Sequence, residues 1–156
     1  MTDFNKVTRI RRQRGWRWED TLVKRLNDSH SWEAYRIGGS STDLPDILAI
    51  SNKLAAVMVI EAKSGTTDRL SISRDQIERS FRFLNTFKRY TKRVLIIAFK
   101  FSRKKRLDNK TFKQRELREY YKLFNIKIEE IREIPFIVCY YDRGCPVLPD
   151  FKMPFM

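Results

Sequence analysis

The apolar positions change period along the chain, and the changes mark its elements. From Arg14 to Asn27, Trp18, Leu22, Val23 and Leu26 recur at helical spacing, which predicts a helix with one apolar face. Residues 1–12 read as a mobile basic arm, and Asn27-Asp28-Ser29 stops the helix. Trp32 to Ile37 reads as a short strand leading into the loop Gly38-Gly39-Ser40-Ser41-Thr42. Asp46 to Ile50, entered through Pro45, is a second strand, and Ser51-Asn52-Lys53 a turn. Ala55 to Ala62 is a long Val- and Ile-rich run, as expected of a central strand, and Gly65 to Asp68 ends it.

Ser73 and Gln76 form the S-x-x-Q signature of a capping box, so a second helix should begin there, with Ile77, Phe81 and Leu84 on one face. Val94 to Phe101 is apolar on both faces and reads as an interior strand. A basic linker follows. Phe112, Leu117, Tyr120, Tyr121 and Phe124 then suggest a third helix over 111–124, and Pro135 to Tyr141 a last strand. The expected order is α-β-β-β-α-β-α-β, an α/β fold with a mixed central sheet flanked by helices.

Acidic residues on these apolar elements are the candidates for chemistry. Glu19 lies three and four residues before Leu22 and Val23, on the apolar stripe of the first helix. A carboxylate facing a core is costly unless it is paired or binds a cation. Asp46 opens a strand. Glu61 and Lys63 end the most apolar strand and share a face with Val57 and Val59, while Ile60 and Ala62 face the other way. Asp43 is a second acid in the loop before Asp46; Asp46 is preferred because Pro45 and the strand Ile47–Ile50 adjoin it. Each residue alone also fits a turn or a salt bridge.

Length and charge narrow the class. The chain has 156 residues, 33 Lys+Arg against 19 Asp+Glu, a net charge of +14 and 42% hydrophobic residues. One domain with a true core is expected, and so is a polyanionic partner. The cations cluster at 6–17, 88–93 and 100–115. No apolar run is long enough for a transmembrane helix, and the N-terminus lacks an apolar signal core. No membrane partner is expected. Cys139 and Cys145 make neither a disulfide framework nor a zinc knuckle, so a reduced cytoplasmic protein is expected. His30 falls in a polar loop. Trp16 is a candidate for exposure and for stacking on unpaired bases. The apolar tail residues Phe151, Met153, Phe155 and Met156 are candidates for a dimer interface.

Taken together, Pro45-Asp46, fourteen intervening residues and Glu61-Ala62-Lys63 resemble the PD…(D/E)xK arrangement of restriction-endonuclease-like nucleases. Two carboxylates at adjacent strand ends can hold Mg²⁺, a hard ion that prefers oxygen ligands. Such an ion acidifies bound water and offsets charge on a phosphate, and a neighbouring lysine can stabilise the transition state.

A longer ordered set resembles the archaeal Holliday junction resolvases over roughly residues 11–101. It comprises R-x-R-G-x-x-x-E-x-x-L-V-x-x-L from Arg12 to Leu26, Y-R-I-G-G-S-S from Tyr35 to Ser41, P-D-I-L-A from Pro45 to Ala49, and V-I-E-A-K-S from Val59 to Ser64. A helix carrying Gln76 follows. The resemblance implies a restriction-endonuclease-like three-layer fold over one domain, 1–156. It also implies Mg²⁺-dependent paired nicking of four-way DNA junctions by a homodimer, with Mn²⁺ as a substitute. Carried over, Glu19, Asp46 and Glu61 are the metal ligands with the Ala62 carbonyl, and Lys63 is the catalytic lysine. Arg11, Arg12, Arg14, Arg36, Ser40, Ser41, Lys63 and Gln76 are the implied DNA contacts. The part from 102 to 156 matches poorly. Another nuclease of the same superfamily acting on duplex or repair intermediates, or a non-catalytic DNA-binding protein, remain as alternatives.

Overall fold

The computed structural model describes residues 3–39 and 43–156. Helix α1 runs from Asp3 to Asp28, so residues 3–12, read above as an arm, are its first turns. Strands β1 (Glu33–Arg36), β2 (Ile47–Ser51), β3 (Ala56–Gly65) and β4 (Arg69–Ser73) follow, then helix α2 (Arg74–Leu84). The rest is β5 (Lys92–Phe101), β6 (Lys104–Arg106), β7 (Phe112–Gln114), β8 (Arg118–Leu123), the single turn α3 (Ile128–Ile131) and β9 (Phe136–Tyr140).

A five-stranded sheet in the order β1-β2-β3-β5-β8 forms the middle layer. Only β3 and β5 pair in parallel; the other neighbours are antiparallel. The apolar runs of β3 and β5 are explained by cores on both faces of the sheet. On one face Met58, Ile60, Ile96 and Ala98 pack against Trp18, Leu22 and Leu26 of α1. On the other, Val57, Val59, Ile97 and Phe99 pack against Ile77 and Leu84 of α2 and Ile137 of β9. Trp18 is fully buried and its Nε1–H donates to the Ala98 carbonyl at 3.1 Å, which ties α1 to β5. The capping box starts α2: Ser73 Oγ accepts the Gln76 N–H, and Gln76 Oε1 accepts the Ser73 N–H.

Two further expectations need correction, and one strand was not anticipated. The segment 111–124 is not a helix but strands β7 and β8, with β8 completing the sheet along the far edge of β5. Its aromatics match a helical step, yet Tyr121 packs on the α1 face and Tyr120 on the other, as successive strand residues do. The residues just before α2 form a strand, β4, which pairs with β9 in a separate ribbon. The tail is not a free apolar patch. Phe151 N–H donates to the Tyr121 carbonyl and Leu123 N–H to the Pro149 carbonyl, so the tail lies along β8. Met153 is fully buried in the α1-side core, Phe155 sits edge-on to Tyr121, and of the four residues Met156 stays exposed.

Candidate active site at the ends of β2 and β3

Register brings two of the predicted carboxylates together. Ile47 of β2 pairs with Ile60 of β3, so the next residues outward, Asp46 and Glu61, face each other across the strand ends. Asp46 Oδ2 accepts the Ala62 N–H at 2.8 Å. Asp46 itself is fixed from behind, because its carbonyl accepts N–H groups from Ile37 and Gly38. Gly38 is required there: a Cβ would stand 2.7 Å from the Pro45 carbonyl oxygen. The glycine thus serves a backbone contact with Pro45-Asp46.

Glu61 is 3% exposed and accepts a short hydrogen bond from Ser80 Oγ of α2. Burial, and then repulsion from Asp46, push its carboxyl from an ordinary 4.5 up to about 8. Glu19 approaches from α1 on the opposite face of the sheet. Burial, then the Asp46 charge, raise it from 4.5 to about 7, while Arg36 and Lys63 pull the other way. Asp46 thus lies between two carboxyls that its own charge helps keep protonated. Arg36 lies 3.9 Å from Glu19 and 3.1 Å from Asp20, and its guanidinium stacks over the exposed ring of Trp16.

The remaining predicted positions are distributed around this centre. Lys63, two residues past Glu61 on β3, is half-buried. Arg12 is exposed on α1. Gln76 is engaged in the α2 capping box. Ser40 and Ser41, and the side chains of Arg11 and Arg14, lie outside the described residues. Asp43 is far more exposed than Asp46 and stands 3.5 Å from Arg79. Among the described residues, no three His, Cys, Asp or Glu side chains converge tightly enough to form a ready-made metal cage.

Two contributors escaped the sequence reading. Ser80 holds Glu61, and it occupies a buried position of α2 beside Ile77 and Leu84. A polar residue on an apolar stripe is the same signal that singled out Glu19. Lys100 pairs in register with Ser64 on β3 and, with Arg17 and Ser102, lines a cavity of about 160 Å³ beside the strand end.

A mixed sheet between two helical layers, with acids at the ends of β2 and β3, is the fold of restriction-endonuclease-like nucleases. Within that class, the sequence profile of the archaeal Holliday junction resolvase (Hjc) family matches residues 10–136. The chain belongs to that family, and is therefore a nuclease that resolves Holliday junctions, with branched DNA as its partner. The crystal structure of Hjc, a Holliday junction resolvase from the archaeal hyperthermophile Archaeoglobus fulgidus, has the same fold. It superposes with a TM-score of 0.55 at 18% identity, covering 88% of this chain and 92% of that one. No curated protein sequence matches the chain. No helix among the described residues is long and apolar enough to cross a membrane.

Proposed function

We propose that the chain nicks four-way junctions with a divalent cation, Mg²⁺ or Mn²⁺, bound by Glu19, Asp46, Glu61 and the Ala62 carbonyl. The observation that carries this is the mutual influence of three carboxyls: burial and the Asp46 charge push Glu19 up to about 7 and Glu61 up to about 8. A divalent cation suits that donor set because it offsets the repulsion that keeps those carboxyls neutral. When bound, such an ion acidifies water and offsets charge on the phosphate. The chain's own groups do the rest. Lys63 supplies a positive charge to the phosphate oxygens as negative charge builds up on them. Arg36, anchored by Asp20 and Trp16, holds a flanking phosphate. Arg12, exposed on α1, extends that contact, Arg11, Arg14, Ser40, Ser41 and Gln76 are the further DNA contacts assigned, and the single domain spans 1–156.

Paired nicks across a junction need two sites, and a two-fold homodimer working in the cytoplasm supplies them. Cutting of a labelled four-way junction by wild type and Asp46→Ala, with and without Mg²⁺, tests the proposal. Wild type should cut only with the ion, and the variant should bind but not cut. Full activity in Asp46→Ala, or cutting in a chelator, refutes the assignment. Sedimentation at working concentration tests the dimer, and a monomer that still makes paired nicks contradicts it.

A further inference from the structure

We propose that the β6–β7 hairpin is a phosphate clamp that grips a duplex arm of the DNA beside the cutting site. The identity of the polyanion rests on the resolvase reading; the geometry of the clamp does not.

Residues 102–115 carry seven Lys or Arg and a single acid, Asp108. That acid is used inside the turn, where its carboxylate accepts the N–H groups of Lys110 and Thr111 at 2.9 and 2.8 Å. Lys105 and Arg115 are taken up by Asp68. Arg103, Lys104, Lys110 and Lys113 remain exposed, with no ion pair among the described residues. Lys105 lies directly opposite Lys113 in the ladder. Like charges in such a pair destabilise a hairpin, and here the Asp68 carboxylate on Lys105 offsets that repulsion.

The ribbon is nonetheless firmly built. Leu107 N–H donates to the Thr111 carbonyl and Arg115 N–H to the Arg103 carbonyl, at 2.9 and 2.7 Å. Its root is stitched to the end of β3: Ser102 N–H donates to the Gly65 carbonyl and Arg106 N–H to the Thr66 carbonyl, both at 2.9 Å. The Arg115 guanidinium adds bonds to Thr67 and Asp68. The cations are therefore held on a fixed frame, and little ordering entropy is lost when phosphates bind. Between this hairpin and β9 lies an open cleft of about 490 Å³, lined by four cations, Lys105, Lys113, Arg115 and Arg143, and by two acids, Asp68 and Asp142.

Position selects the occupant. Gly65 is two residues past Lys63, roughly 7 Å of strand at about 3.3 Å per residue. Three-residue strands add roughly 10 Å more. The hairpin cations thus lie within about 20 Å of the cutting site, less than the roughly 34 Å of one turn of B-DNA. A duplex arm cut at the β2–β3 edge carries phosphates within that span.

The experiment compares wild type with a chain in which Arg103, Lys104, Lys110 and Lys113 are changed to Gln. Binding of a fluorescent four-way junction, and of a plain duplex, is measured by anisotropy in chelator over a range of KCl concentrations. Each lost phosphate contact reduces the slope of log K against log salt by about 0.9, so a fall of about 2 to 4 is expected. A slope within about half a unit of wild type overturns the clamp, because each lost contact is worth about 0.9. Should the fourfold variant fail to fold, Lys110→Gln at the exposed turn is expected to lower the slope by about one unit, and no change there overturns the proposal equally. Wild type that binds DNA steeply but nicks no junction defeats the resolvase reading while leaving this slope test intact.

Discussion

The parallel pair β3–β5 has two ends that share a sign of charge and differ in chemistry. At one end Ala56 pairs with Lys92, and Lys88, Arg89, Lys92 and Arg93 stand exposed. At the other end Ser64 pairs with Lys100 and Gly65 with Phe101, and there Glu61 is buried two residues from Lys63. Both ends are basic; only one buries acids. Positive charge alone names the class of partner, whereas a carboxylate buried within a positive field marks where chemistry can occur.

Removing the acid breaks this contrast most severely. Glu61→Gln keeps the shape and the Ser80 contact while deleting a charge-bearing ligand. Junction cutting should fall at least about a hundredfold, a loss of the size seen when one preorganised electrostatic group is removed. Affinity for DNA measured in chelator should change little. Cutting at the wild-type rate would remove Glu61 from the site.

Ser80→Ala acts one step further back. Its hydroxyl donates to Glu61 and favours the ionised carboxylate. Without it the Glu61 carboxyl rises further, so cutting at neutral pH should fall about tenfold, as for partners that orient metal ligands. Raising the pH should recover much of that loss. A loss of equal size at every pH would assign Ser80 to packing alone.

The raised carboxyls also set a stability slope. Glu19 at about 7 and Glu61 at about 8 stay protonated in the fold over a range where the unfolded chain, near 4.5, has already ionised. The folded state holds more protons there, so stability falls as pH rises from about 4.5 to 8. In chelator, the melting temperature of wild type should drop across that window, and Glu61→Gln should drop less. A flat or rising wild-type profile with no such difference would contradict the burial of these acids.

How much of this was legible in the sequence follows from which interactions are local. Strands β2, β3 and β5 were readable because cores on both sides leave long apolar runs. The start of α2 was readable because its capping box is complete within four residues. Glu19 and Glu61 were visible as acids on apolar elements, although no sequence feature shows that Asp46 lies between them. The segment 111–124 and the tail were misread because their determinants are distant, whereas the strand at Pro135 to Tyr141 was read correctly. Glu119 of β8 is bonded to Arg25 of α1, Lys122 to Asp150 of the tail, and Arg118 to the Tyr141 carbonyl. Such partners make charged residues acceptable in a half-buried strand, and a chain read locally shows only charges with aromatics at helical spacing. Met153 looked like an exposed patch for the same reason: β8, which it helps cover, had not been recognised as a strand.

The smallest expected effect lies at the end without acids. Changing Lys88, Arg89, Lys92 and Arg93 to Gln removes four exposed cations, as many as the hairpin variant loses, so the global field weakens equally. If net charge governed DNA binding, the two variants would lose the same salt slope. If place governs it, this variant should lose less than about one unit while the hairpin variant loses about 2 to 4. Ten paired residues of β3 separate Ala56 from Gly65, roughly 30 Å at about 3.3 Å per residue, which exceeds the Debye length of about 8 Å at physiological salt. At that distance the far cations are screened from phosphates held at the cutting edge. Equal slopes for the two variants would mean that DNA also lies along the Lys92 end, and that the acids, not the cations, are all that distinguishes the two ends.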